Sequence, residues 1–361
     1  MKRYDIAIVG AGMAGASLAA DVAPHASVLL LEAEDMPGYH ATGRSAAFWS
    51  ETYGGPGIAP LTTASRPALQ DGGFLSPMGS LHLGRTEDAA AIERFVAAYT
   101  GSGIDLRRVD PREHVLGLRG AWTLGLLEPS SAFIHVAALH ADCLGRARRA
   151  GAELVVRAPL AAAIRVAGGW ELETGGGSFS AGLLVDAAGA WADRVATLAG
   201  VVPIGIQAYR RTMVQLRTDP PASPGLPHVA DINGSFYFKP EAGGRLWLSP
   251  HDETAVDPSD VQPEEIDVAH AIDRLEGAVD WRVAAVERKW AGLRSFASDR
   301  LPVYGFDPAE PGFFWCAGQG GFGIQTAPAA AALAAAVLLG QTPAPTVAAI
   351  DPARYGPDRL R

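Results

Sequence analysis

Ile6-Ala7-Ile8-Val9-Gly10-Ala11-Gly12-Met13-Ala14-Gly15 opens the reading, because a run of β-branched and apolar residues passes directly into a G-x-G-x-x-G turn. Tyr4 to Val9 saturates with Ile and Val as a strand buried on both faces does, and Ala16 to Val22 is helix-forming until Pro24 stops it. Ser27 to Leu31 is a second β-rich run, closed by Glu32, which stands 22 residues after Gly10. The first 35 residues therefore read as one βαβ unit with the spacing of a dinucleotide site. In that reading Gly10 makes the tight turn, Gly12 lets backbone approach a pyrophosphate, and Gly15 lets helix and strand pack closely. Glu32 is placed for the adenosine ribose hydroxyls, and an acidic residue there disfavours a 2′-phosphate.

Outward from this unit, Glu87, Ile92, Phe95, Val96 and Tyr99 fit an amphipathic helix ending at Gly101, and His135 to Ala150 a second one closed by Gly151. Gly168-Gly169 and Gly175-Gly176-Gly177 punctuate a meander with strands at 170–174 and 179–185. Strands are expected at 211–216, 236–239 and 246–248, and Pro263 starts a helix with Glu264 and Glu265 in its first turn. Gly318-Gln319-Gly320-Gly321-Phe322-Gly323 is read as opening an alanine-rich helix that runs to about Leu339.

The chain of 361 residues has room for two or three domains, and 48% apolar against 19% charged residues excludes a disordered or fibrous chain. A net charge of −9 matches neither a phosphate backbone nor an anionic membrane, so nucleic acid is an unsuitable partner. Cys143 and Cys316 are too few for a disulfide framework or a zinc site, and no metal site is expected. Ala329 to Leu339 is about half the ~20 residues of a membrane span, and the apolar stretch at 6–9 lacks the form of a secretory signal. The expectation is a cytoplasmic enzyme.

Five ordered motifs carry a family likeness: the N-terminal unit, Pro37-Gly38-Tyr39-His40-Ala41-Thr42-Gly43-Arg44-Ser45-Ala46-Ala47, Asp186-Ala187-Ala188-Gly189-Ala190-Trp191-Ala192-Asp193, Trp290-Ala291-Gly292-Leu293-Arg294-Ser295-Phe296, and Gly320-Gly321-Phe322-Gly323-Ile324-Gln325-Thr326. Over essentially its whole length the chain resembles the FAD-dependent D-amino-acid oxidase superfamily, and within it the bacterial D-arginine dehydrogenases. The resemblance implies an α/β fold, with a Rossmann-like FAD-binding domain from 1–75, 136–202 and 290–361 and an antiparallel-sheet substrate domain from 76–135 and 203–289. It implies non-covalent FAD, because Ser295 and Phe296 stand where covalent members place cysteine. The cofactor residues it implies are Gly10, Gly12, Met13, Ala14, Gly15, Glu32, Ala33, Thr42, Gly43, Arg44, Ser45, Ala46, Leu160, Ala188, Gly189, Gly320, Gly321, Gly323, Ile324, Gln325 and Thr326. A helix N-terminus at Gly320 to Gly323 would set its positive end against the flavin.

For the substrate, the resemblance assigns Arg294 and Arg211 to the α-carboxylate, with Arg210 the competitor of Arg211, and Tyr53 and Tyr237 to the pocket wall. A planar guanidinium suits that task because it donates two parallel hydrogen bonds. Gln325 and Thr326 would add polar contacts. The chain departs from the arginine-specific pattern at Phe48, where a histidine is expected, and at Ser80, where a glutamate would meet the substrate guanidinium. An unpaired buried cation costs several kcal/mol, so basic substrates are disfavoured. The implied reaction is oxidation of a D-amino acid with a neutral or apolar side chain to a 2-oxo acid and ammonium, with Phe48, Trp49, Met213, His228 and Ala230 as candidate lining. Open alternatives are oxidation of a secondary amine, such as an N-methyl or cyclic amino acid, and a flavin-bearing subunit that passes electrons to a partner. The acceptor, dioxygen, a quinone or a dye, is left open.

Overall fold

The computed structural model describes residues 2–361. Two large sheets dominate. The strand Lys2–Val9 runs parallel to Val28–Leu31 on one side and to Gly177–Asp186 on the other. Flanked on both edges and covered on both faces, Ile6, Ala7 and Ile8 are at most 2% exposed, which is why the segment reads as unbroken apolar residues rather than an alternation. Glu153–Val155, the meander Leu160–Val166 and Gly169–Thr174, and the pair Val303–Phe306 and Phe313–Ala317 complete an eight-stranded sheet. Helices Met13–Val22, Val136–Arg149 and Ala327–Leu339 bury one face of it, and Ala192–Leu198 packs on the other.

The second sheet has nine strands, in the order Thr254–Val256, Gln207–Asp219, Arg245–Ser249, Tyr237–Glu241, His228–Asp231, Ser80–Arg85, Trp122–Glu128, Arg107–Val109, with Arg282–Phe296 paired to Gln207–Asp219. Helix Glu265–Ala278 covers its apolar face through Val268, Ala271, Leu275 and Ala278. A three-stranded sheet, Phe48–Trp49, Ala132–Ile134 and Leu75–Pro77, lies apart from both.

The expected helices at 87–101 and 135–150 occur as Ala89–Ala98 and Val136–Arg149. The expected helix start at Gly320 to Gly323 is corrected. The helix begins at Ala327, with Thr326 at its N-cap and Pro328 in its first turn. Gly320 has φ +56°, and an added Cβ would lie 2.2 Å from the Phe296 ring, so the glycines form a turn rather than a helical start. Of the long strand Arg282–Phe296 the sequence marks only the motif at 290–296. Its first half carries Arg282, Glu287, Arg288 and Lys289 with alternating exposure, so its apolar signal is weak.

Candidate active site

Gly10 has φ +104°, and a Cβ there would sit 2.5 Å from the Ala187 carbonyl oxygen, so the turn tolerates no side chain. A Cβ on Gly15 would meet the Gly10 carbonyl at 1.9 Å, which is the close helix–strand approach expected of it. Along one continuous cavity lie Gly10, Gly12, Met13, Ala14, Glu32, Ala33, Thr42, Arg44, Ser45, Ala46, Leu160, Ala188 and Gly189, then Gly320, Gly321, Gly323, Ile324 and Gln325. Gly15, Gly43 and Thr326 stay outside its lining. Gly43 closes a backbone turn onto Gly38, and the Thr326 hydroxyl donates to the Phe322 carbonyl oxygen.

Glu32 is buried, and its two carboxylate oxygens accept from the backbone N–H groups of Ala11 and Glu34, both at 3.0 Å. Each oxygen keeps a lone pair for a hydroxyl. Leu160 arrives beside it because Ala158 donates its N–H to the Glu32 carbonyl oxygen. The Thr42 hydroxyl accepts from the Met13 N–H at 2.9 Å, crossing the start of the first helix where an anion would be held. The Arg44 guanidinium donates to Asp260 at 2.5 Å and to the carbonyl oxygens of Val261 and Ala291, while Tyr39 donates to the same Asp260. Asp260 and Arg194, which none of the sequence motifs contains, also line the cavity. No motif spacing marks Asp260, because it reaches the site from a loop of the second sheet.

At the other end stand Phe48, Tyr53, Arg211, Met213, Tyr237 and Arg294. Arg210 and Arg211 are successive strand residues and so point to opposite faces. Arg210 is ion-paired with Glu264 and Asp267 of the covering helix and its preceding residue, and Arg211 faces the cavity. Arg211 donates its Nε to the Asp252 carbonyl oxygen at 2.6 Å and Nη2 to Glu253 at 3.1 Å, leaving Nη1 buried without a partner. Among the described residues Arg294 has no hydrogen-bond partner, its nearest carboxylate oxygen being on Glu253 at 4.0 Å. Burial works to lower its pKa, but Tyr53, Tyr237, Glu253 and Asp252 outweigh this, and Arg294 stays charged. The Tyr53 hydroxyl is also buried and unpartnered, and burial raises its pKa. The Tyr237 hydroxyl has only the weak acceptor Met213 Sδ, at 3.1 Å.

Several expected side chains stand elsewhere. Ser80 is 1% exposed behind the wall, hydrogen-bonded to His228 Nδ1 at 2.9 Å. His228 in turn stacks on Phe48, with centroids 4.3 Å apart, so Phe48 screens both from the cavity. Trp49 points into the core and donates to the Thr62 carbonyl oxygen, and Ala230 lies outside the lining. Gln325 spends its amide on the Ser50 N–H, the Tyr53 carbonyl oxygen and the Thr62 hydroxyl, which holds the segment carrying Tyr53. Burial depresses His228 and His251 to about 3, so both are neutral near neutral pH. Cys316 is buried, its thiol pushed up to about 12 by burial.

The family model for FAD dependent oxidoreductases (DAO) matches residues 5–337. The chain belongs to this family. As such it binds FAD, and the cavity fits that group: a side-chain-free turn at Gly10, a buried carboxylate at Glu32, and glycines again at the opposite wall. Glycine oxidase of Geobacillus kaustophilus is 26% identical over 90% of each chain. Its crystal structure superposes with a TM-score of 0.82 over 99% of this chain and 98% of that one. Mitochondrial dimethylglycine dehydrogenase of Homo sapiens is 25% identical over 98% of this chain but 44% of its own length. L-proline dehydrogenase from P. horikoshii shares the fold, with a TM-score of 0.86 at 19% identity over 99% of this chain and 98% of that one. These relatives support the family and give no support to the narrower likeness to arginine-specific dehydrogenases. Among the described residues no helix is long and apolar enough to cross a membrane, and no cluster of His, Cys, Asp and Glu could hold a metal ion.

Proposed function

We propose that the protein oxidises a D-amino acid with a neutral side chain to the 2-oxo acid and ammonium, using non-covalent FAD. The observation that carries the amino-acid reading is the convergence on one cavity end of Arg211 Nη1 and the Tyr53 hydroxyl, both buried without a partner, and the partly buried Arg294, whose nearest carboxylate oxygen is 4.0 Å away. Buried donors left unpaired are costly, and a carboxylate is the acceptor that matches paired guanidiniums. Arg294 and Arg211 hold the substrate carboxylate, Tyr53 donates to it, and Tyr237 with Phe48 and Met213 walls the side chain. Bound FAD supplies the two-electron acceptor for the Cα–H and its bonding pair. The substrate amine enters neutral, so loss of the Cα hydride leaves an iminium, and water converts it to the 2-oxo acid and ammonium. No residue need remove a proton from carbon, which agrees with His228 and His251 lying outside the cavity lining and being held in structural contacts. The division into an FAD-binding part (1–75, 136–202, 290–361) and a substrate part (76–135, 203–289) belongs to the same proposal.

A second reading, oxidation of glycine or an N-methyl amine, is favoured by the names of the relatives, glycine oxidase and dimethylglycine dehydrogenase. Both readings use the same carboxylate clamp. Arg294→Ala tests it: loss of a bidentate charged interaction of about 3 kcal/mol should raise KM about 100-fold with FAD content unchanged. A KM within twofold of the parent would overturn the assignment.

A further inference from the structure

We infer that Glu253 sets the charge of the carboxylate clamp so that it accepts substrates with one carboxylate and discriminates against those with two. This inference rests on the clamp proposed above and concerns a residue behind it, outside the cavity lining. Glu253 is carried by the short connection between strands Arg245–Ser249 and Thr254–Val256, both of which pair with the strand bearing Arg211. In that connection His251 adopts a left-handed φ of +57° and bonds the Gly234 carbonyl oxygen through Nδ1, which fixes the turn beside the site.

Glu253 Oε1 lies 3.1 Å from Arg211 Nη2 and 4.0 Å from Arg294 Nη1, so one carboxylate oxygen serves both guanidiniums of the clamp. Asp252 stands 3.9 Å from Arg211 Nε and accepts from the Thr212 N–H and hydroxyl. Arg300, half exposed, donates to both Glu253 oxygens at 3.0 Å and binds the outer side of that carboxylate. With Arg300 counted, three guanidiniums and two carboxylates leave the cluster one net positive charge before a ligand enters. A substrate carboxylate takes the free donors of Arg294 and Arg211 Nη1. A second carboxylate on the ligand would face Phe48, Met213 and Tyr237, which carry no positive charge, in a site whose net positive charge the first carboxylate has already matched. Interactions between charges at such separations are strong enough to decide affinity in a partly desolvated pocket.

Glu253 is therefore a positioning and charge-setting residue that acts through Arg211 and Arg294. The test uses the FAD-loaded protein, with propionate and succinate as mono- and dianionic probes in isothermal titration calorimetry. Glu253→Gln keeps an acceptor for Arg211 but removes the charge, and should lower the ratio of succinate Kd to propionate Kd about tenfold. Arg300→Ala, at an exposed position, leaves the Glu253 charge to weigh more on the clamp and should move the same ratio in the opposite direction, about twofold to threefold. A purely structural role would weaken both probes alike and leave the ratio constant. Ratios unchanged in both variants overturn the inference while leaving the clamp standing. Failure of the parent protein to bind either probe overturns the clamp and the inference together.

Discussion

At Ser80 the structure moves a side chain away from the substrate end of the cavity. The resemblance to arginine-specific dehydrogenases makes position 80 the place where a glutamate would meet a basic substrate. The Ser80 side chain, however, lies behind Phe48, bonded to a neutral His228 that stacks on that ring. Ser80→Glu would bury a carboxylate with no cation facing it from the cavity side, at a cost of several kcal/mol. The expected result is a Tm lowered by several degrees with no gain in D-arginine turnover, read by thermal unfolding and by kinetics. A gain in D-arginine turnover without loss of stability would mean that the wall opens. The residue pairs Arg210 and Arg211 show what sequence can and cannot separate. Period-2 alternation requires that only one face the cavity, but which one depends on the register of their strand against Arg282–Phe296, a pairing between residues far apart in the chain.

At the scale of elements, the glycine turn at Gly10 to Gly15 was legible because local sterics alone demand it: a positive φ and two backbone approaches that exclude a Cβ. The start of the last helix was not, since Gly320 to Gly323 and Thr326-Ala327-Pro328 are both plausible punctuation, and the choice is made by the Phe296 ring against Gly320. Nor was the loop that brings Asp260 across to Arg44 and Tyr39, because its contacts join residues more than 200 positions apart. That loop ties the second sheet to the segment 38–46 lining the cofactor cavity. In the Arg44–Asp260 pair the Asp260 carboxylate is half exposed, so solvent screens the pair and it is worth about 1 kcal/mol or less. Asp260→Ala should therefore raise the FAD dissociation constant only about threefold, measured by flavin fluorescence on release, with the parent fold retained. An unchanged constant would show that the loop does not help to retain the cofactor.

At the scale of the molecule, the cavity runs from the eight-stranded sheet, where Glu32 and the Gly10 turn stand, to the nine-stranded sheet, where Arg211, Tyr237 and Arg294 stand. One segment of the chain supplies the turn for the dinucleotide and three others, at Tyr53, Arg211 and Arg294, the donors for the carboxylate, so the family motifs were readable separately while their meeting was not. Gln325 illustrates the difference: the motif marks it, but its amide is consumed in holding the 50–53 segment, and its part is to place Tyr53. The acidic net charge is no obstacle to an anionic substrate here, because the cavity end carries the guanidiniums and their balancing carboxylates sit behind them.

The central claim is that this cavity oxidises a D-amino acid with a neutral side chain. Anaerobic mixing of the FAD-loaded protein with D-alanine, D-leucine, D-phenylalanine, D-arginine, D-aspartate, glycine, sarcosine, D-proline and the L-enantiomers, followed by loss of flavin absorbance, tests it most directly. The expected result is rapid bleaching by neutral D-amino acids, and much slower bleaching by D-arginine, D-aspartate and the L-series. Bleaching by sarcosine and other N-methyl amines alone, or by none of these compounds, would contradict it.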